Sequence, residues 1–414
     1  MKQNNTWKDF FITDKNEALH SLGFALIFHC GAINEKTSLG GGTHLIEHLC
    51  YKGEKGEEFA SFCEQNGVYV RGETGKDFLK FSFVCRPCVF NNVITFFHKM
   101  LYNLNYSSEE FALEKSIVCA EIAEKEPLNS QIIIDRQWQN KNFSNCILGN
   151  KERILNLSLT ALINFKKQLL ASEKSILLVG NYSEEQRDLV YNLFNEESHY
   201  KLAIKQQKSL NASQKNEVKF IVDDYENFDL YYALRCDISQ TNRIKEILCL
   251  QVINSALFQG DCAYIKQVLR EKNGLIYDVY SELNVISDEA VLLFHLTTSS
   301  KDLPNLIQKL ENALEEFILN DKYLGFVKAF FCDNSIMLKD NFKEYFNDYI
   351  ANAIYFKQNI SPLESAQMIS DLSAEETNLI YRKLLLNKSV YLFGNLSYLK
   401  RKQIKELIKP KSSN

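Results

Sequence analysis

No stretch of this sequence is long and apolar enough to span a bilayer: Met1 to Leu22 is polar and broken by charges, and the first apolar run, Phe24 to Phe28, has only strand length. That argues against a membrane partner, and the amino-terminal segment also lacks the apolar centre of a secretory signal. A basic excess is missing too. The formal net charge is −4, whereas a nucleic-acid binder needs a basic face. The cysteines form no framework: there are 11, an odd number without regular spacing, which points to free thiols in a reducing cytoplasm. Cys85-Arg86-Pro87-Cys88 has the spacing of a redox or zinc pair, but no second pair completes it, and it reads as two ordinary thiols. The glycine run Gly40-Gly41-Gly42 is not followed by Lys-Ser/Thr, so it is no phosphate loop.

What is present is the composition of a soluble globular protein, 45% hydrophobic and 24% charged, in 414 residues. That length suits two domains of roughly 200 residues each. The most informative stretch runs from Gly40 to Gly53 and reads Gly-Gly-Gly-Thr-His-Leu-Ile-Glu-His-Leu-Cys-Tyr-Lys-Gly. Glycines and Thr43 supply a helix start, and Gly53 a stop. On such a helix His44 and His48 lie one turn apart on one face, so both imidazoles can reach one metal ion, and Glu47 shares that face. The spelling His-x-x-Glu-His is the inverted form of the commoner zinc-peptidase motif. The other histidines, His20, His29, His98, His199 and His295, have no such pairing and read as core or surface groups.

Along the first half the pattern predicts a strand over 23–30, a helix at about 57–65 ending at Asn66-Gly67, and one or two strands between Val68 and Val84. Helices follow over 91–104 and 108–125, with more to about Leu170, then a buried strand over 175–180 and a helix over 184–194. Strands and helices mix without a βαβ rhythm, which favours an α+β fold. Residues 201–217 are polar and read as a linker between a first domain, 1–200, and a second, 218–414. Shifting the chain against itself by about 207 positions lays His44–Gly53 on Gln251–Gly260 and Glu64–Val68 on Glu271–Leu275, the signature of a duplication. The second copy carries Gln251, Asn254 and Ser255 in place of His44, Glu47 and His48, so only the first half can hold the ion.

A catalytic zinc site needs a third protein ligand. In the 108–125 helix Glu114 and Glu121 are two turns apart and share a face, and Glu121 sits in the apolar setting Val-Cys-Ala-Glu-Ile. We therefore take Glu121 as the ligand and Glu114 as the partner that orients a histidine.

With these residues in place, nearly the whole chain resembles the pitrilysin family of inverted-motif zinc peptidases, in particular its short, two-domain bacterial members related to the mitochondrial processing peptidase. Gly31 and Glu35 match the loop before the motif, Lys52-Gly53 its exit, and Thr74 a threonine after the second helix, whereas Arg71 stands where the family has asparagine. Leu269 to Tyr277 is similar to the family's Arg-x-x-x-Gly-Leu-x-Tyr element. The resemblance implies two homologous α/β-sandwich domains with mixed or antiparallel sheets, forming a clamshell around a chamber. It implies one zinc per chain and an endopeptidase that cuts unfolded peptides or a precursor. Glu47 would act as general base, and Arg270 and Tyr277 would reach across to hydrogen-bond the scissile carbonyl or substrate backbone. The substrate would add as a strand to a sheet edge within 68–84, and the protein would pair as a homodimer. The alternative is a silent peptide-binding or scaffold subunit of the same fold.

Overall fold

The structure, a computed structural model, describes residues 11–124, 129–139, 141–195, 217–222 and 227–408. The linker expected at 201–217 lies, apart from its last residue, outside the described residues. The fold is α+β and consists of two compact units.

The first unit comprises the described residues within Met1–Pro127, Asn140–Lys208 and Leu338–Pro362. Its sheet contains β1 (Phe11–Lys15), β2 (Leu22–Phe28), β3 (Tyr69–Thr74), β4 (Leu79–Cys85) and β5 (Lys174–Gly180), in the order β1-β5-β2-β4-β3. Only the β1–β5 pairing is parallel. The apolar run Leu-Gly-Phe-Ala-Leu-Ile-Phe forms the central strand β2, and all seven of its residues are buried. A continuous run of this kind is buried on both faces. On one side Leu22, Phe24, Leu26 and Phe28 meet α1 (Gly42–Cys50), α2 (Gly53–Gln65), α3 (Phe90–Leu101) and α4 (Ser108–Glu124) in one core. Phe97 of α3 is central there, its ring 5.6 Å from that of Phe24 and 5.9 Å from those of Phe59 and Phe83.

On the other side Ala25 and Ile27 pack with Leu177 and Val179 beneath Phe346, Tyr349, Ile350 and Ala353 of the helix Phe342–Phe356. That helix comes from the second half of the chain. Gly23 permits its close approach, because a Cβ there would lie 2.9 Å from the Phe346 ring.

The second unit comprises the described residues within Leu128–Gln139, Ser209–Met337 and Leu363–Asn414. Its strands are β6 (Val218–Ile221), β7 (Phe228–Asp237), β8 (Val279–Ile286), β9 (Glu289–Thr298) and β10 (Lys388–Phe393), in the order β6-β10-β7-β9-β8. Taken pair by pair this is the same topology, again with a single parallel pairing, β6 with β10. The aligned glycines agree as well: Gly53 and Gly260 have φ of 70° and 81°, and Gly67 and Gly274 of 64° and 60°. The helix Asn129–Gln137, from the first half of the chain, belongs to this unit, where the Gln137 amide donates to the Tyr391 hydroxyl at 2.9 Å. The Gln139 backbone N–H donates to the Glu289 carboxylate at 2.8 Å. The compact units thus differ from the sequence repeats by two exchanged segments.

His29, part-buried just after β2, lies 2.8 Å through Nε2 from the Ser175 hydroxyl. Burial, aided by the charge of Lys357, pushes its imidazole down to about 4. Below the ordinary histidine value the unfolded chain takes up a proton that the folded one refuses, so this stability term is fully present above about pH 6.5 and erodes as pH falls toward 4. We expect wild type to lose about 1–2 kcal/mol more unfolding free energy than His29→Gln between pH 7 and pH 5, measured by urea denaturation. Equal losses in the two proteins would show that His29 is solvated.

Candidate metal centre

The first copy of the repeated helix, α1, begins at Gly42, and its backbone entry is Gly41 in the left-handed region at φ 102°. Thr43 does not cap it, contrary to the sequence expectation, because it already lies inside the first turn. The cap is Glu35, whose buried carboxylate accepts from the N–H groups of Gly41 at 2.6 Å and Thr43 at 2.7 Å. Those donors are among the ones a helix start leaves without partners, and a carboxylate there also answers the helix dipole. Burial nevertheless pushes the Glu35 carboxyl up.

Two side chains one turn apart on α1, His44 and His48, have ring centroids 4.6 Å apart. Across from them on α4, Glu121 Oε2 lies 3.6 Å from Nε2 of each histidine. The three ligand atoms all lie within 4.8 Å of one another, and among the described residues this is the group of metal-ligating side chains that could hold an ion. Tetrahedral zinc with ligand bonds of about 2.0–2.1 Å would separate its ligands by roughly 3.3–3.5 Å. The donor set and the spacing therefore fit zinc. Two turns before Glu121, the buried Glu114 places Oε2 3.3 Å from His48 Nδ1 and Oε1 3.2 Å from the Lys52 ammonium. A carboxylate at Nδ1 keeps the proton on that nitrogen and leaves the Nε2 lone pair free for a metal.

Glu47 is outside the group of three. Its Oε2 accepts a hydrogen bond from the Thr74 hydroxyl on β3 at 2.5 Å. Burial pushes the Glu47 carboxyl up, and the Thr74 bond opposes that shift. Strand alternation puts Gly72 and Thr74 on the face toward α1, and Arg71 and Glu73 on the other. Arg71 Nη2 pairs with Glu73 Oε2 at 2.9 Å, and Lys80 joins the same oxygen at 3.0 Å. Among the described residues β3 is the last strand on this side of its sheet and pairs with β4 alone.

Arg270 and Tyr277 are in the second unit. Arg270 lies in the π-helical turn Gln267–Glu271, with its guanidinium 5.7 Å over the Tyr277 ring and its Nε 3.4 Å from Glu271 Oε1. Tyr277 is 84% exposed. In the degenerate helix Arg243–Phe258, Asn254 and Ser255 are buried and bring no metal ligand. Sequence reasoning missed three contacts of this site, the Glu35 cap, the Lys52–Glu114 pair and the Thr74–Glu47 hydrogen bond. The signal for the first was a helix start made of glycines, which carry no side chain to cap it. Among the described residues no helix is long and apolar enough to cross a membrane.

Comparison with known proteins places the chain by family and fold. Residues 11–151 match the family described as Insulinase (Peptidase family M16), and residues 156–322 match Peptidase M16 inactive domain. Among curated proteins, the uncharacterized zinc protease YmxG of Bacillus subtilis is 20% identical over 312 residues, 73% of this chain and 75% of that one. An uncharacterized zinc protease of Rickettsia felis is 20% identical over 371 residues, covering 86% and 88%. Among solved structures, a protease from Helicobacter pylori superposes with a TM-score of 0.77 at 15% identity, over 94% of this chain and 98% of that one. A putative M16-like peptidase from Alicyclobacillus acidocaldarius gives 0.77 at 13% identity, over 93% and 96%. Two adjoining family matches, the first containing the inverted motif and the second its degenerate echo, make this chain a member of the pitrilysin-like peptidase family M16.

Proposed function

We propose that this protein is an active zinc-dependent endopeptidase acting on unfolded or precursor peptides. The observation that carries the reading is the division of labour on α1: His44 and His48 converge with Glu121, while Glu47 is held by Thr74 instead of joining them. His44, His48 and Glu121 would hold a zinc ion, which would supply Lewis acidity and lower the pKa of water to about 7. Glu47 takes the proton of the attacking water and returns it to the leaving amine. Thr74 fixes the direction in which Glu47 faces, and Glu114 fixes the tautomer of His48. The side of β3 that pairs with no described strand suits an extended peptide that adds as a further strand. To Arg270 and Tyr277 we assign hydrogen bonds to the substrate backbone, on the likeness of their sequence element and their open position on the surface.

The test begins with metal analysis of the purified protein and a quenched peptide library. Zinc near one per chain, with cleavage abolished by a chelator and restored by added zinc, is the expected result. A zinc-loaded protein that binds peptides but cuts none would overturn the reading in favour of a silent binding subunit.

A further inference from the structure

Two residues beside Glu47 have features that the chemistry above does not use. Tyr51 follows Glu47 by four positions, at the carboxyl end of α1, and therefore falls on the same side of the helix. Its ring packs near Phe59 and Phe81, with centroids 6.4 and 6.2 Å away. Its hydroxyl oxygen is buried and finds no hydrogen-bond partner among the described residues. A hydroxyl shut away from water without a partner is destabilising, so its presence asks for a role. Burial, reinforced by Cys50 and Glu47, also pushes the phenol up, so it keeps its proton and stays a donor.

Gly72, on β3, is the second residue. A Cβ at this position would lie 2.8 Å from Glu47 Oε1 and 3.1 Å from the Tyr51 hydroxyl. Both oxygens therefore border the space that a side chain at residue 72 would fill. Oε1 is the carboxylate oxygen that the Thr74 bond leaves free, since Thr74 donates to Oε2. A protonated donor without a partner thus stands beside an acceptor with spare capacity, and a glycine keeps the ground between them clear.

We propose that Tyr51 is a positioning residue for Glu47: its hydroxyl, unpartnered in this structure, becomes a donor to Oε1 during turnover, and Gly72 keeps open the gap across which the two meet. This rests on the peptidase reading of the site. Thr74 and Tyr51 then hold one carboxylate oxygen each, and together they fix the angle at which Glu47 receives a proton.

The test compares wild type with Tyr51→Phe as full-length, zinc-loaded proteins on one quenched peptide. The expected result is zinc near one per chain in both, KM within twofold, and kcat about tenfold lower in the variant, the size of one hydrogen bond to a charged group. The variant's Tm should be equal or higher, because an unpaired buried hydroxyl has been removed. A purely structural tyrosine would give the opposite pattern, a lowered Tm with kcat unchanged, and that outcome overturns the proposal. So does a kcat within twofold of wild type, or a loss of kcat that tracks a loss of zinc. If wild type itself cuts no peptide, the peptidase reading falls and takes this inference with it, whereas an active wild type matched by Tyr51→Phe removes this inference alone.

Discussion

Replacing Glu47 by glutamine is expected to lower kcat by about 10²–10⁴-fold, the usual range for loss of a general base, while zinc content stays at the wild-type level. The two effects separate because Glu47 is outside the ligand group, so its loss leaves His44, His48 and Glu121 in place. Glutamine has nearly the same shape, and its amide oxygen can still accept from the Thr74 hydroxyl, so the side chain keeps its position. What it loses is the ability to take a proton. The measurement is kcat and KM on a quenched peptide, with metal analysis on the same sample. Wild-type turnover in the zinc-loaded variant would sink the mechanism.

Removal of a ligand should act the other way, through the metal. Glu121→Ala leaves two imidazoles and no carboxylate, and we expect both zinc and cleavage to be lost at ordinary zinc concentrations. Glu114→Ala is the informative comparison, because Glu114 touches the metal site only through His48 Nδ1. Its loss is expected to weaken zinc binding by about 10–100-fold, so that added zinc restores most of the activity. Competition with a chromophoric chelator gives both affinities. Equal affinities for the two variants would mean that Glu121 is no ligand. Glu114→Ala has a second consequence, since it leaves the Lys52 ammonium without its 3.2 Å partner at the end of α1.

How much of this could be read from the chain depends on the range of the interactions involved. The motif helix was legible because its information is local: two histidines and a glutamate at spacings that one helix turn brings together. Glu121 and Glu114 were legible by the same periodicity, carried over two turns of α4. The duplication showed in aligned helices and glycines, and the matching strand orders of the two sheets confirm it. The Glu35 cap was not legible as a cap, since it reaches back six to eight residues across a loop whose path no local pattern specifies. Gly72 looks like an ordinary strand residue until β3 is laid beside α1, and Thr74, which the family resemblance singled out, shows its tie to Glu47 only then. The placement of Phe342–Phe356 was also beyond local reading, because a helix rich in Phe, Tyr and Ile declares that it is buried without declaring against what.

That exchanged helix bears on how the protein is made. The strands of the first sheet are complete once Gly180 has been synthesised, but the helix that covers one face of β2 begins only at Phe342, about 160 residues later. At about 5–20 residues per second, the ribosome needs on the order of ten to thirty seconds to deliver it. Throughout that interval Ala25, Ile27, Leu177 and Val179 of the nascent chain lack their native cover. The first domain is therefore a candidate client for chaperones during translation, and the sheet that carries α1 on one face gains the cover of its other face only after most of the second repeat has been made.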